Sequence, residues 1–166
     1  MRLALVIGCL LVPARNLSAQ ALVLPGMQTG PAPWSNGFNG LTARLRAIGL
    51  PAMPAEAFAQ HIHQHLVITI FGKPLTVPEE IGINVVAGYI SPLHTHDAFG
   101  TIHIESATLD RFTLGQFFDV WGVRLTTQCI GGYCNRAGDS LRVTVNGRPA
   151  ANPRGVPLVD GEEIAI

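Results

Sequence analysis

An alternation of period two, carried largely by β-branched residues, constrains this chain more than any other feature. In Thr101-Ile102-His103-Ile104-Glu105 apolar side chains fall on every second residue, the pattern of a strand buried on one face and open on the other. Leu66-Val67-Ile68-Thr69-Ile70 is a second β-rich stretch. Phe71-Gly72-Lys73-Pro74 then turns the chain and Leu75-Thr76-Val77 returns it, a hairpin. Ile81 to Ile90 reads as a further extended apolar stretch. Leu141 to Val145 reads as a strand, with Asn146-Gly147 as a hairpin turn, and Asp160-Gly161 introduces a last strand at Ile164-Ala165-Ile166. Eighteen glycines and twelve prolines, with 13% charged residues, suit short strands and many turns better than a helical bundle.

Two short helices interrupt this pattern. Leu41, Leu45 and Ile48 recur at helical spacing, with Arg44 and Arg46 on other faces, until Gly49 and Pro51 stop it. Pro54 to Gln60 is expected to add a helical turn. Thr113 to Gly122 carries a stronger signature: Thr113 as N-cap, Gln116 completing a capping box, Gly122 closing the helix. The expectation is a small α+β fold, a mixed β-sheet with hairpins and one or two short helices. Its element order is β-grasp-like, with a histidine-bearing excursion between the first hairpin and the second helix. There is no internal repeat.

The 166 residues divide into an expected signal peptide over 1–20, a flexible segment over 21–40 and a single α+β histidine-rich metal-binding domain over 41–166. Arg2 precedes the apolar run Leu3 to Val12, Pro13 ends it, and Ser18-Ala19 opens a cleavage region near Ala19 or Ala21. The run is shorter than the roughly 20 residues a membrane span needs, so no span is expected in the mature chain. Cys9 would leave with the leader. Cys129 and Cys134 would remain, and a lone pair outside the cytoplasm is expected to form a disulfide. Metal ligation and redox activity are the weaker uses of that pair. A periplasmic or secreted location follows. Eleven basic and eleven acidic residues cancel, with no basic run, which argues against nucleic acid as a partner.

All six histidines fall between positions 61 and 103: His61-Ile62-His63-Gln64-His65, His94-Thr95-His96-Asp97, and His103 on the alternating strand. In a strand, residues i and i+2 share a face, so each His-x-His presents two imidazoles side by side. If Ile62, Leu66, Ile68 and Ile70 face the core, then His61, His63 and His65 share the other face. Likewise Ile102 and Ile104 inward leave His103 and Glu105 outward. Paired as neighbours, these strands would bring His63 or His65 to His103, with the His94 and His96 segment folding over them. Imidazole suits copper and zinc. Met27 and Met53 form no methionine track, so histidine favours Cu(II) or Zn(II). The candidate ligands are therefore His94, His96, His103, His63, His65 and His61, with Asp97 and Glu105 as ligands, orienting acceptors or bases. Asp97 equally suits capping the turn Asp97-Ala98-Phe99-Gly100.

Three functions fit this pattern. The first is copper or zinc capture, buffering or delivery. The second is a metal-dependent enzyme, hydrolase or oxygen-using, with three histidines, a water and Asp97 or Glu105 as base, in a cleft lined by Tyr89, Phe99 or Trp121. The third is a pH-responsive interaction module.

Gly88 to His96 resembles the opening of the first cupin motif: glycine, five residues, His-x-His. No glutamate follows at the short spacing, and no second cupin motif is present. The stretches His61–Leu66, Ser91–Asp97, Gly100–Ser106, Thr113–Gly122 and Cys129–Cys134 together resemble a group of uncharacterised exported bacterial histidine-rich proteins. That resemblance spans residues 41–166 and implies no particular activity.

Overall fold

The computed structural model describes residues 23–166; the expected signal peptide and its cleavage site lie outside them. In chain order the elements are α1 (Leu41–Ile48), β1 (Gln60–Ile70), β2 (Lys73–Leu75), β3 (Ile83–Asn84), β4 (Tyr89–Ile90), β5 (Leu93–His94) and β6 (Thr101–Ser106). These are followed by α2 (Leu114–Trp121), β7 (Cys129–Ile130), β8 (Tyr133–Cys134), β9 (Thr144–Val145), β10 (Arg148–Pro149), a 3-10 turn (Pro153–Gly155) and β11 (Glu163–Ala165). This is the expected α+β fold.

The main sheet runs β10-β9-β11-β1-β6-β5, with β2 also on β1. Strands β1 and β11 pair in parallel, Leu66 opposite Ile164, while β2 returns along the far half of β1 through Phe71 and Gly72, both at positive φ. A central parallel pair of first and last strands, a hairpin on each side and a helix between is the β-grasp order. The histidine-bearing excursion adds β5 and β6 beside the near half of β1.

Helix α2 forms where its caps place it: Thr113 and Gln116 make the reciprocal capping box, and Gly122 closes the helix in the left-handed region. Its Phe117, Phe118, Val120 and Trp121 are buried with Leu66, Ile68, Leu93, Ile102, Ile104 and Ile164 in one core. Each such side chain contributes roughly 1.5–3 kcal/mol by leaving water. The other sheet face is thereby freed for polar groups.

The structure departs from the sequence reading in four places. Residues 54–59 form no helical turn, because Gln60 already pairs with Ser106 and the chain enters β1 extended. Ile81 to Ile90 is not one strand but two short ones in a hairpin, Ile83 opposite Ile90. The strand read at 141–145 is regular only at Thr144–Val145.

The fourth departure is the 21–40 segment, whose described part is pinned down. Trp34 packs edge-on against Trp121 and Tyr133, and Arg44, fully buried rather than on an outer face of α1, supplies the clamp. Its guanidinium donates to the carbonyls of Pro25, Gly37 and Asn39 and to Val120 at the end of α2.

Candidate metal centre

The site is assembled by strand register. Strand β6 lies between β1 and β5, and both pairings are antiparallel. His63 is opposite His103 on one side and His94 is opposite His103 on the other, so three imidazoles form a row across three strands. Two residues further along β6, Glu105 lies opposite His61. Because side chains two apart share a face, His61, His63, His103 and Glu105 emerge together, away from the α2 core. Gly100 immediately precedes β6 at φ +85, and a Cβ there would lie 2.3 Å from the Leu66 carbonyl oxygen, a conformation and approach open only to glycine.

The His94-Thr95-His96 segment is fixed by its middle residue. Thr95 is fully buried, its hydroxyl donating to the Pro78 carbonyl at 2.8 Å and accepting from the Ile81 amide at 3.1 Å. With Thr95 turned inward, His94 and His96 point the other way, toward His103. Their Nε2 atoms lie 3.1 Å apart, and the rings of His94 and His103 are stacked at 17° with centroids 5.3 Å apart.

Glu105 is the hub. It is 2% exposed, and its Oε1 lies 3.3 Å from His61 Nε2, 3.4 Å from His103 Nδ1 and 3.9 Å from His94 Nε2. Its buried Oε2 has no hydrogen-bond partner. Among the described residues no arginine or lysine pairs with it. An orphaned buried carboxyl oxygen costs about 1–3 kcal/mol or more, which points to a cationic occupant rather than to a structural ion pair.

Burial favours the neutral form of two of the imidazoles, His94 and His103. Burial, reinforced by His96, His103 and His61 nearby, pushes His94 down to about 3 against the opposing hydrogen bond to Ser91. Burial likewise lowers His103, with His96 and His63 adding to it and Glu105 opposing. Proton placement follows: with His94 Nδ1 2.9 Å from the Ser91 carbonyl, Nδ1–H donates there and Nε2 keeps a bare lone pair. That is how an orienting acceptor prepares a histidine for metal.

Two groups of four side chains are close enough to hold a metal ion: His61, His63, His103 and Glu105, and His94, His96, His103 and Glu105, with the ligand atoms of each within 4.8 Å of one another. Tetrahedral coordination at Zn–N of about 2.0–2.1 Å separates ligand atoms by about 3.3 Å. The His61–His63 and His94–His96 nitrogens, at 3.2 and 3.1 Å, already stand at that spacing. Comparison with known proteins returns no matching family model, curated relative or solved structure. The reading of the site rests on this geometry.

Six of the eight candidate ligands come together, and two do not. His65 belongs to the same strand face, but its Nε2 is 2.9 Å from the Phe99 carbonyl and its Nδ1 3.8 Å from Glu163. It sits beyond the end of the histidine row, opposite Thr101. Asp97 accepts from the Phe99 amide at 2.9 Å, the turn-capping role. Of the three residues considered for a cleft, only Tyr89 lines a groove at the site. Phe99 is exposed beside His65, and Trp121 is in the core.

Two neighbours escaped sequence reasoning. Glu56 Oε1 lies 3.1 Å from His96 Nε2, and Phe58 packs on the His61 ring at 5.4 Å. Both sit on the stretch read as a helical turn. As extended chain it runs along the rim of the histidine face. A groove of ≈ 540 Å³ lined by Pro54, Glu56, Phe58, Ile83, Val85, Tyr89, Ile90 and His96, among others, opens there.

Proposed function

We propose that this chain is an extracytoplasmic protein that binds copper or zinc through the imidazoles gathered around Glu105, and that it captures, buffers or delivers the metal. The convergence of imidazole nitrogens at tetrahedral-edge spacing on a buried carboxylate with one oxygen left unpartnered carries the reading. Nitrogen donors with one carboxylate suit Zn(II) and Cu(II), and the fixed His94 tautomer prepares one ligand before any ion arrives. The Cys129–Cys134 disulfide supports an oxidising compartment, and with it the exported histidine-rich group that the motifs resemble. Among the described residues no helix is long and apolar enough to cross a membrane.

The test is titration of the metal-stripped protein with zinc and with Cu(II) against a chromophoric chelator. Replacing His94 and His96 together by alanine is expected to weaken binding at least tenfold, and His65→Ala to leave it unchanged. Equal affinities for all three proteins would overturn the proposal.

One observation favours metal-dependent catalysis as a second reading. The groove beside His96 falls in the ~300–1,000 Å³ range of small-molecule sites, and it is mostly apolar with Glu56 at its rim. Metal-dependent turnover of an ester or phenolic substrate, lost in Tyr89→Ala with metal content intact, would select that reading.

A further inference from the structure

The two four-residue groups overlap in His103 and Glu105 but differ in the other pair. His61 and His63 come from β1, on one side of β6. His94 and His96 come from β5 and the residues after it, on the other side. Each flanking pair has its own close nitrogen contact, 3.2 Å for His61–His63 and 3.1 Å for His94–His96. Among the described residues the ligand atoms close within that limit only as these two groups of four. An ion seated among four donors on one side therefore leaves the second imidazole pair converged and unused.

Glu105 faces both sides. Its Oε1 reaches His61 at 3.3 Å and His94 at 3.9 Å, and its Oε2 is buried without a partner. A carboxylate has two oxygens and about four lone-pair sites, so it can serve two cations at once. Two cations also offset their mutual repulsion best across a shared anionic ligand.

We propose that the site is dinuclear: one divalent ion held by His61 and His63, a second by His94 and His96, with Glu105 bridging them and His103 as a further ligand to one of the two. The proposal rests on the metal-binding reading above and specifies its stoichiometry and architecture. Two-metal carboxylate-bridged sites hold their ions ≈ 3.5–4 Å apart.

Native mass spectrometry of the untagged full chain, stripped and reloaded with zinc, gives the count directly. Two equivalents are expected for the unaltered protein, and one each for His61→Ala/His63→Ala and for His94→Ala/His96→Ala. Electron paramagnetic resonance of the unaltered protein loaded with Cu(II) needs no variant. Magnetic coupling should suppress the signal well below the total copper, and either pair variant should restore it to that of one isolated ion. A single equivalent in the unaltered protein with a full-intensity copper signal would overturn the dinuclear proposal and leave metal binding standing. No tight equivalent at all would overturn both.

Discussion

Replacing Glu105 by glutamine separates a metal ligand from a structural acid by the sign of its effect. In the metal-stripped chain Glu105 is 2% exposed, its Oε1 approaches the imidazoles of His61, His94 and His103, the last two of which burial pushes toward the neutral form, and its Oε2 has no partner. Burying a carboxylate without a cation costs several kcal/mol even after relaxation. A buried amide that keeps only part of its hydrogen bonding costs about 1–3 kcal/mol. Glu105→Gln keeps an oxygen for His103 and discards the charge, so the metal-stripped protein should gain about 1–3 kcal/mol, or roughly 3–10 °C in Tm for a chain of this size. With metal the order reverses. Losing an anionic ligand should weaken zinc or copper binding by at least the 10–100-fold typical of losing a mere supporting group, and metal should then raise Tm less than in the unaltered protein. Thermal unfolding followed by circular dichroism, with a chelator and again with saturating zinc, reads both effects. If Glu105→Gln lowers Tm in the chelator, Glu105 is holding the imidazole network together by itself, and the argument for a cationic partner fails.

Three further outcomes follow from the same structure. Arg44→Ala strands the carbonyls of Gly37 and Val120, both buried residues, and should cost at least about 2 kcal/mol in urea unfolding; a loss below 1 kcal/mol would mean that water replaces the guanidinium. For pH, His94 takes up protons near 6.5 when unfolded but only near 3 when folded, so the unfolded state binds more protons between those values. The metal-stripped chain should therefore lose stability as pH falls from 6.5 toward 3, by about 2 kcal/mol at pH 5 from this group; a flat profile from pH 7 to 5 would contradict the burial of a neutral His94. Replacing Cys129 and Cys134 by alanine opens a disulfide spanning a sequence separation of 5, a loop small enough that about 2 kcal/mol should be lost. Metal content should not change, since the hairpin lies outside both ligand groups; loss of metal on this change would contradict the assignment of the site.

Much of the site was legible because strand phase is a local property. Ile62, Leu66 and Ile68 alternate with His61, His63 and His65, and Ile102 and Ile104 with His103 and Glu105. The face each side chain takes follows from burying the isoleucines, and the helix α2 that buries them announces itself through Thr113, Gln116 and Gly122. Register was not legible. Whether His63 or His65 would meet His103 depends on where Gly100 brings the chain back against Leu66, a contact between residues 34 apart. His65 falls beyond the row for that reason alone. Asp97 offered two local roles, and the nearer partner, the Phe99 amide, took it. Arg44 was invisible as a core residue because a charge on an amphipathic helix reads as solvated. Its burial depends on backbone carbonyls from residues 25–39 and from α2, which no periodicity reports. Glu56 and Phe58 were hidden by the same limit: a proline-bounded stretch gives no sign of what it will run beside.

The most direct test of the account is the metal content of the protein itself, expressed without a histidine tag, purified without a nickel column and measured by inductively coupled plasma mass spectrometry. One to two equivalents of copper or zinc per chain are expected, falling when His94 and His96 are replaced by alanine. A protein that arrives without metal, and that fails to take up added copper or zinc in tight stoichiometric amounts, would contradict it.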